Sequence, residues 1–324
     1  MRVLVTGGAG YIGSHTVRRL QKKGHEVVIL DNLSRGHIES VPKDAVFEKA
    51  DLLDVNSLKY VFSKHSFDAV VHFAAFAYVG ESVENPGLYY ENNVTGSFNL
   101  IKTVNEYGVK KFVFSSTCSV YGNPERIPIS EEQVPAPINP YAKTKLMIEN
   151  ILSDFDGSHG LKYTALRYFN AAGDSDDGSI GESHDPEPHL IPLVLYTALG
   201  KRDSIKIYGD DYGTKDGTCL RDYIHVNDLA DAHVLALEYL NDGNPSAAIN
   251  VGTGEGYSVK EIVDAAREVT GKEIISEITG RRAGDPAVLI ADNAKAKKVL
   301  GWKPEYGLKR IIETAWNWHK NQKY

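Results

Sequence analysis

Tyr141 and Lys145 stand four residues apart in the run Tyr141-Ala142-Lys143-Thr144-Lys145, directly after Pro140. Proline suits a first helical turn, and helical residues four apart share a face. A tyrosine working as a base near neutral pH must fall from a pKa of about 10 toward about 7, worth about 4 kcal/mol. A neighbouring ammonium supplies part of that electrostatically. Alone, such a pair is a common coincidence on helix surfaces. It gains weight from Ser115-Ser116-Thr117, which closes the apolar run Phe112–Phe114. Hydroxyls at the carboxyl end of a strand face the ligand crevice of an α/β sheet. Thr117 there would hydrogen-bond a substrate hydroxyl and its developing oxyanion.

A second constellation opens the chain. Val3–Thr6 runs into Gly7-Gly8-Ala9-Gly10-Tyr11-Ile12-Gly13, in which Gly8, Gly10 and Gly13 satisfy G-x-G-x-x-G and Gly7, Gly10 and Gly13 satisfy G-x-x-G-x-x-G. A strand precedes the glycines and an amphipathic pattern follows, which is the setting a dinucleotide pyrophosphate needs at a helix N-terminus. Asp31 follows Leu30 at the end of the next apolar run. A carboxylate there accepts from an adenosine ribose and repels a 2′-phosphate, favouring NAD over NADP. Asp51 is a candidate for the adenine amino group, or else a solvated loop aspartate. The small residues of Phe73-Ala74-Ala75 would let a cofactor pass close over the sheet edge.

The elements that must carry these groups alternate. Short runs at Val3–Val5, Val27–Leu30, Ala69–Phe73, Phe112–Phe114 and Thr164–Leu166 read as strands. Helical patterns lie between them at 12–22, 55–64, 88–107 and 141–155. Alternation of this kind predicts a Rossmann-type, doubly wound parallel sheet covered on both faces. After about residue 170 the composition changes, and 173–188 reads as a long loop rich in Gly, Asp, Ser, Glu and Pro. Further helices are expected at 228–240, 259–269, 294–300 and 308–321. The expected division is 1–170 for the dinucleotide and 171–324 for a smaller α/β substrate lobe, with part of 221–255 returning to the first.

The chain has 324 residues, 42% hydrophobic and 24% charged, with net charge -7. That balance argues against a mainly electrostatic nucleic-acid binder. Cys118 and Cys219 are too few for a disulfide framework or a thiolate zinc site. The eleven histidines show no H-E-x-x-H pair, so no metal is expected. His225 and His233 read as structural. No apolar run reaches membrane-spanning length and no signal peptide opens the sequence, so a cytoplasmic location is expected.

Taken together, the sequence resembles the extended short-chain dehydrogenase/reductases, and within them the UDP-glucose 4-epimerases. The resemblance spans nearly the whole chain, through VTGGAGYIGSH (5–15), DNLSRG (31–36), VHFAA (71–75), GESVENP (80–86), YYENNVTG (89–96), FSSTCSVYG (114–122), NPYAKTK (139–145), LRYFNAAG (166–173), DGTCLRDYIHVNDLADAH (216–233), NVGTGEGYSV (250–259) and LGWKPEYGL (300–308). It implies NAD as cofactor and interconversion of UDP-glucose and UDP-galactose through a 4-keto sugar. It makes Tyr141 the acid–base for the sugar 4-hydroxyl, with Lys145 on the nicotinamide ribose and Thr117 bridging substrate and Tyr141. Besides the glycines, Tyr11, Ile12, Asp31, Asn32, Asp51, Leu52, Phe73, Ala74, Ala75, Asn92 and Phe169 fall at NAD-contacting positions. Asn170, His189, Leu190, Tyr208, Arg221, Arg282 and Asp285 fall at UDP-sugar positions; arginine forks suit a pyrophosphate. The resemblance also implies a homodimer built on helices 88–107 and 141–155.

Three positions depart from common family residues. Ala77 stands where many relatives carry lysine, His189 where asparagine is common, and Leu289 where tyrosine or cysteine gates N-acetylated sugars. The last leaves UDP-GlcNAc/UDP-GalNAc epimerisation as an alternative substrate pair. Dehydratases place Asp-Glu after the catalytic threonine, and decarboxylases keep the glutamate; here Cys118 and Ser119 occupy those places. A non-catalytic NAD-binding regulator would typically lose the Tyr141/Lys145 pair, which is intact.

Overall fold

A computed structural model describes residues 1–282 and 286–324. Seven parallel strands form the central sheet, in the spatial order Ala247–Val251, Lys162–Tyr168, Lys111–Ser115, Ala69–His72, Arg2–Thr6, Glu26–Asp31, Val46–Lys49. The chain builds outward from Arg2–Thr6 to Val46–Lys49, then crosses back to place Ala69–His72 on the other side of the first strand. The strand order therefore reverses between Arg2–Thr6 and Ala69–His72, and a crevice opens at their carboxyl ends, where Gly7 and Phe73 lie.

The strands read as near-continuous apolar runs because both faces are covered. One face packs Val3, Val5, Ile29 and Val71 against helices Tyr11–Lys22 and Val226–Asn241. The other packs Leu4, Val28, Val70 and Phe112 against Val55–Lys64, Gly96–Glu106 and Pro140–His159. A third core joins helices Leu190–Ala198, Val259–Thr270 and Leu308–Lys320 around Ile205, Ile274 and Ile311. Short strand pairs in this part connect it to the crevice, including Asn170–Ala172 with Tyr223–His225.

The differences from the sequence reading have local causes. Helix 88–107 is broken: Pro86–Tyr89 leads through a π-helical turn, Tyr90–Thr95, into Gly96–Glu106. Such bulges do not disturb apolar periodicity enough to be seen, and they re-aim side chains. An edge strand, Val46–Lys49, stands just before Asp51, and Ala69–His72 stops one residue short of the strand end expected at Phe73. Helix Leu190–Ala198 was not anticipated, because Pro192 sits in its first turn, where a missing N–H does no harm. The helix carrying Tyr141 is longer than expected, Pro140–His159, and ends on Gly160 in the left-handed conformation.

Candidate active site

The glycine turn is a steric necessity. Gly7 has φ +71, and a Cβ on it would lie 2.5 Å from the Ala74 backbone nitrogen; a Cβ on Gly13 would lie 2.1 Å from the Gly7 carbonyl oxygen. The turn and the loop after Ala69–His72 are thus pressed together, leaving a smooth floor at the start of helix Tyr11–Lys22. That helix begins on Gly10 with no capping side chain and no acidic residue in its first turn, so its N–H end is available to an anion. Asp31 is buried and held from both sides, accepting from Ala9 N at 3.0 Å and Leu33 N at 2.8 Å. Asn32 Nδ2 donates to Asp51 Oδ2 at 2.9 Å, which fixes those two side chains as one unit.

Helix Pro140–His159 starts cleanly, with Pro140 in its first turn and the Asn139 side chain accepting from Ala142 N at 2.9 Å. Its buried stripe is Tyr141, Thr144, Lys145, Ile148, Glu149 and Leu152. The Lys145 Nζ donates to Ser115 O at 2.8 Å and lies 5.9 Å from the Tyr141 ring centroid. Burial acts oppositely on the two groups: it raises the Tyr141 phenol well above 10 and lowers the Lys145 ammonium to about 7. A side-chain hydrogen bond from Thr117 pulls Tyr141 back down. Below the pair, Glu149 takes Arg167 in a two-pronged ion pair, with Nη2 at 2.5 Å from Oε2, and accepts from Ser116 Oγ at 2.5 Å. This buried network fixes the strand end that carries Ser115, Ser116 and Thr117.

The glycine turn, Asp31, Thr117, Tyr141 and Lys145 face one cavity of about 1330 Å³. It exceeds the roughly 300–1,000 Å³ of a usual ligand pocket and has room for a dinucleotide beside a second nucleotide. Gly7, Gly10, Tyr11, Ile12, Gly13, Asp31, Asn32, Asp51, Leu52, Phe73, Ala74, Ala75, Asn92, Thr117, Tyr141, Lys145, Phe169, Asn170, His189 and Arg282 all line it, with Ala77 and Leu289. Asn92 reaches the cavity from the π-helical turn. Three of the anticipated residues are not among the lining. Leu190 opens helix Leu190–Ala198 and packs on the third core. Tyr208 lies behind Arg282, whose guanidinium is 4.0 Å from its ring centroid. Arg221 is buried in the strand Leu220–Arg221, with Nη1 donating to Leu220 O at 2.8 Å. Asp285 lies outside the described residues.

The sequence reading missed a group on the cavity wall. Glu182, His184 and Glu187 line the cavity with His189, and Tyr78 and Arg35 stand beside them. The His189 Nδ1 is 2.9 Å from Glu182 Oε1 and 2.8 Å from Glu187 Oε1. The signal lies in the repeated Glu-x-His of Glu182-x-His184 and Glu187-x-His189, inside a segment whose composition reads as a loop.

The NAD dependent epimerase/dehydratase family model matches residues 3–252. The UDP-glucose 4-epimerase of Lacticaseibacillus casei is 53% identical over 322 residues, covering 99% of this chain and 97% of that protein. The crystal structure of UDP-glucose 4-epimerase from Brucella ovis in complex with NAD superposes with a TM-score of 0.95 at 49% identity, over 97% of each chain. That of the Bifidobacterium longum enzyme in complex with NAD+ and UDP gives 0.94 at 38% identity, over 99% of each chain.

Proposed function

The chain belongs to the NAD dependent epimerase/dehydratase family, and from that premise and its cavity we propose how it interconverts UDP-glucose and UDP-galactose. The cofactor is NAD, and the residues present fit it: the glycine floor that a Cβ would fill, the uncapped helix start and the buried Asp31 form one continuous dinucleotide cradle. When bound, NAD supplies the hydride acceptor and donor at sugar C4 and a positive ring charge near Tyr141.

In this proposal Tyr141 takes the proton of the sugar 4-hydroxyl, and Thr117 hydrogen-bonds that oxygen as charge develops. Lys145, pinned by Ser115 O, offsets the phenolate. The resulting 4-keto sugar turns over while its UDP stays held, and Tyr141 returns the proton after hydride adds to the other face. The cavity-lining Asn170, His189 and Arg282 hold the UDP-sugar. Tyr208 supports Arg282 from behind, and Leu190, Arg221 and Asp285 act with them. The observation carrying this reading is the convergence of Tyr141, Lys145 and Thr117 on the same cavity as the glycine turn. Purified protein should convert UDP-galactose to UDP-glucose without added reductant and yield NAD on denaturation. Absence of turnover in protein retaining NAD would reject the reading.

A homodimer and a cytoplasmic setting belong to the same proposal. Leu88, Phe98 and Met147 are each at least 40% exposed on the helices expected to pair, and both cysteines are buried. No helix among the described residues is long and apolar enough to cross a membrane. Light scattering at twice the chain mass would support the dimer, and a monomer at micromolar concentration would remove it.

A further inference from the structure

Four side chains on the cavity wall bring their potential metal-donor atoms close together. Glu182, His184, Glu187 and His189 each offer one ligand atom, and the four atoms lie within 4.8 Å of one another. The His189 Nδ1 sits 2.9 Å from Glu182 Oε1 and 2.8 Å from Glu187 Oε1; the His184 Nδ1 sits 3.3 Å from Glu182 Oε1 and 3.3 Å from Glu187 Oε2. Donors on a tetrahedral ion with bonds of about 2.0–2.1 Å stand roughly 3.3 Å apart. The two imidazoles therefore already share both carboxylates at close to the spacing a tetrahedral ion imposes.

The charges point the same way. Both glutamate side chains are only 4% exposed, and two carboxylates buried side by side need two compensating positive charges. One divalent ion with two neutral imidazoles supplies them and also fixes all four donors at one centre. The donor set is two nitrogens and two oxygens, which suits zinc-class ions rather than magnesium or calcium with their all-oxygen shells. The frame is prepared at both ends. Glu182 N donates to Asp174 Oδ1 at 2.6 Å, Trp318 Nε1 donates to Glu182 O at 2.8 Å, and His189 stands directly before helix Leu190–Ala198 with its side chain free of any capping bond.

We propose that Glu182, His184, Glu187 and His189 form a structural zinc-class site that fastens the strap 182–189 across the cavity wall. The strap faces Tyr11 at the glycine turn and Tyr78 opposite, whose rings meet His184 edge-on at 6.3 and 5.7 Å. The site shares His189 with the UDP-sugar wall proposed above, so its test reads metal rather than turnover. Untagged, NAD-loaded protein is equilibrated with zinc, dialysed, and its metal content measured by mass spectrometry. About one zinc per chain is expected. Glu187→Gln and His184→Gln should each weaken zinc binding at least about tenfold, the smallest loss seen even for an outer-shell partner. His65→Gln, in a separate histidine–glutamate pair with Glu48, should leave the stoichiometry unchanged. Cobalt(II) loaded into the parent protein should show the intense visible absorption of a tetrahedral site, a reading that needs no variant to fold. Folded, NAD-containing parent protein that retains neither zinc nor cobalt would overturn the proposal, leaving two imidazolium ions as the counter-charges. So would equal zinc binding by the folded Glu187→Gln and His184→Gln variants.

Discussion

Removing one oxygen from Tyr141 leaves its ring packing intact and deletes only the group that moves the proton. Tyr141→Phe should lower turnover by roughly 10²- to 10⁴-fold with UDP-sugar binding retained; an unchanged kcat would reject the role. The pair also fixes a pH response. Tyr141 must be deprotonated to accept, so kcat falls as pH drops through its working pKa. Burial raises that pKa, the Thr117 hydrogen bond lowers it, and an ammonium 5.9 Å from the ring would lower it further. Lys145→Met should move the acid limb of the kcat profile to higher pH; a limb that stays in place would mean the ammonium does not tune the phenol. At this scale the sequence was informative. Tyr141, Lys145, Thr117 and Asp31 were legible because each sits at a fixed offset from a strand end or helix start. Leu190, Tyr208 and Arg221 rest on resemblance alone, because no periodicity shows whether a residue at a helix start or in a short strand will face a cavity.

The element that matters most is helix Pro140–His159, whose buried stripe carries both Tyr141 and Glu149. Glu149 and Arg167 are 7% and 8% exposed, so truncating one strands the other's charge in the interior. Arg167→Met should destabilise the fold by about 3–5 kcal/mol in urea titration. A loss under about 1 kcal/mol would show that water reaches the pair. The alternation of strands and helices was readable because the sheet is buried on both faces and its strands are short apolar runs. The π-helical turn Tyr90–Thr95 was not, since it inserts one extra residue without altering which residue types are buried. Helix Leu190–Ala198 was hidden by its own uniform apolarity and by Pro192.

Across the whole molecule, histidines are packed as neutral groups where helices cover the sheet. His72 lies between Thr6 Oγ1 and Ser97 Oγ, and burial followed by the nearby Lys145 charge lowers its pKa to about 3; burial takes His15 and His233 to about 4. Such an imidazole is protonated only in the unfolded chain between pH 6.5 and its folded pKa. Its contribution is thus complete above pH 6.5 and declines as pH falls toward 3, by at most about 1.4 kcal/mol per pH unit for each group. Unfolding free energy should drop from pH 7 to pH 5, and drop less in His72→Gln; equal drops would contradict the assignment. The cavity is lined both from the crevice at the strand-order reversal and from the C-terminal residues His189, Arg282 and Leu289. In this mechanism hydrogen leaves C4 and returns to it without passing through water. UDP-galactose carrying deuterium at C4 tests this most directly. UDP-glucose is expected with the deuterium still at C4; loss of the label to solvent during turnover would overturn the mechanism.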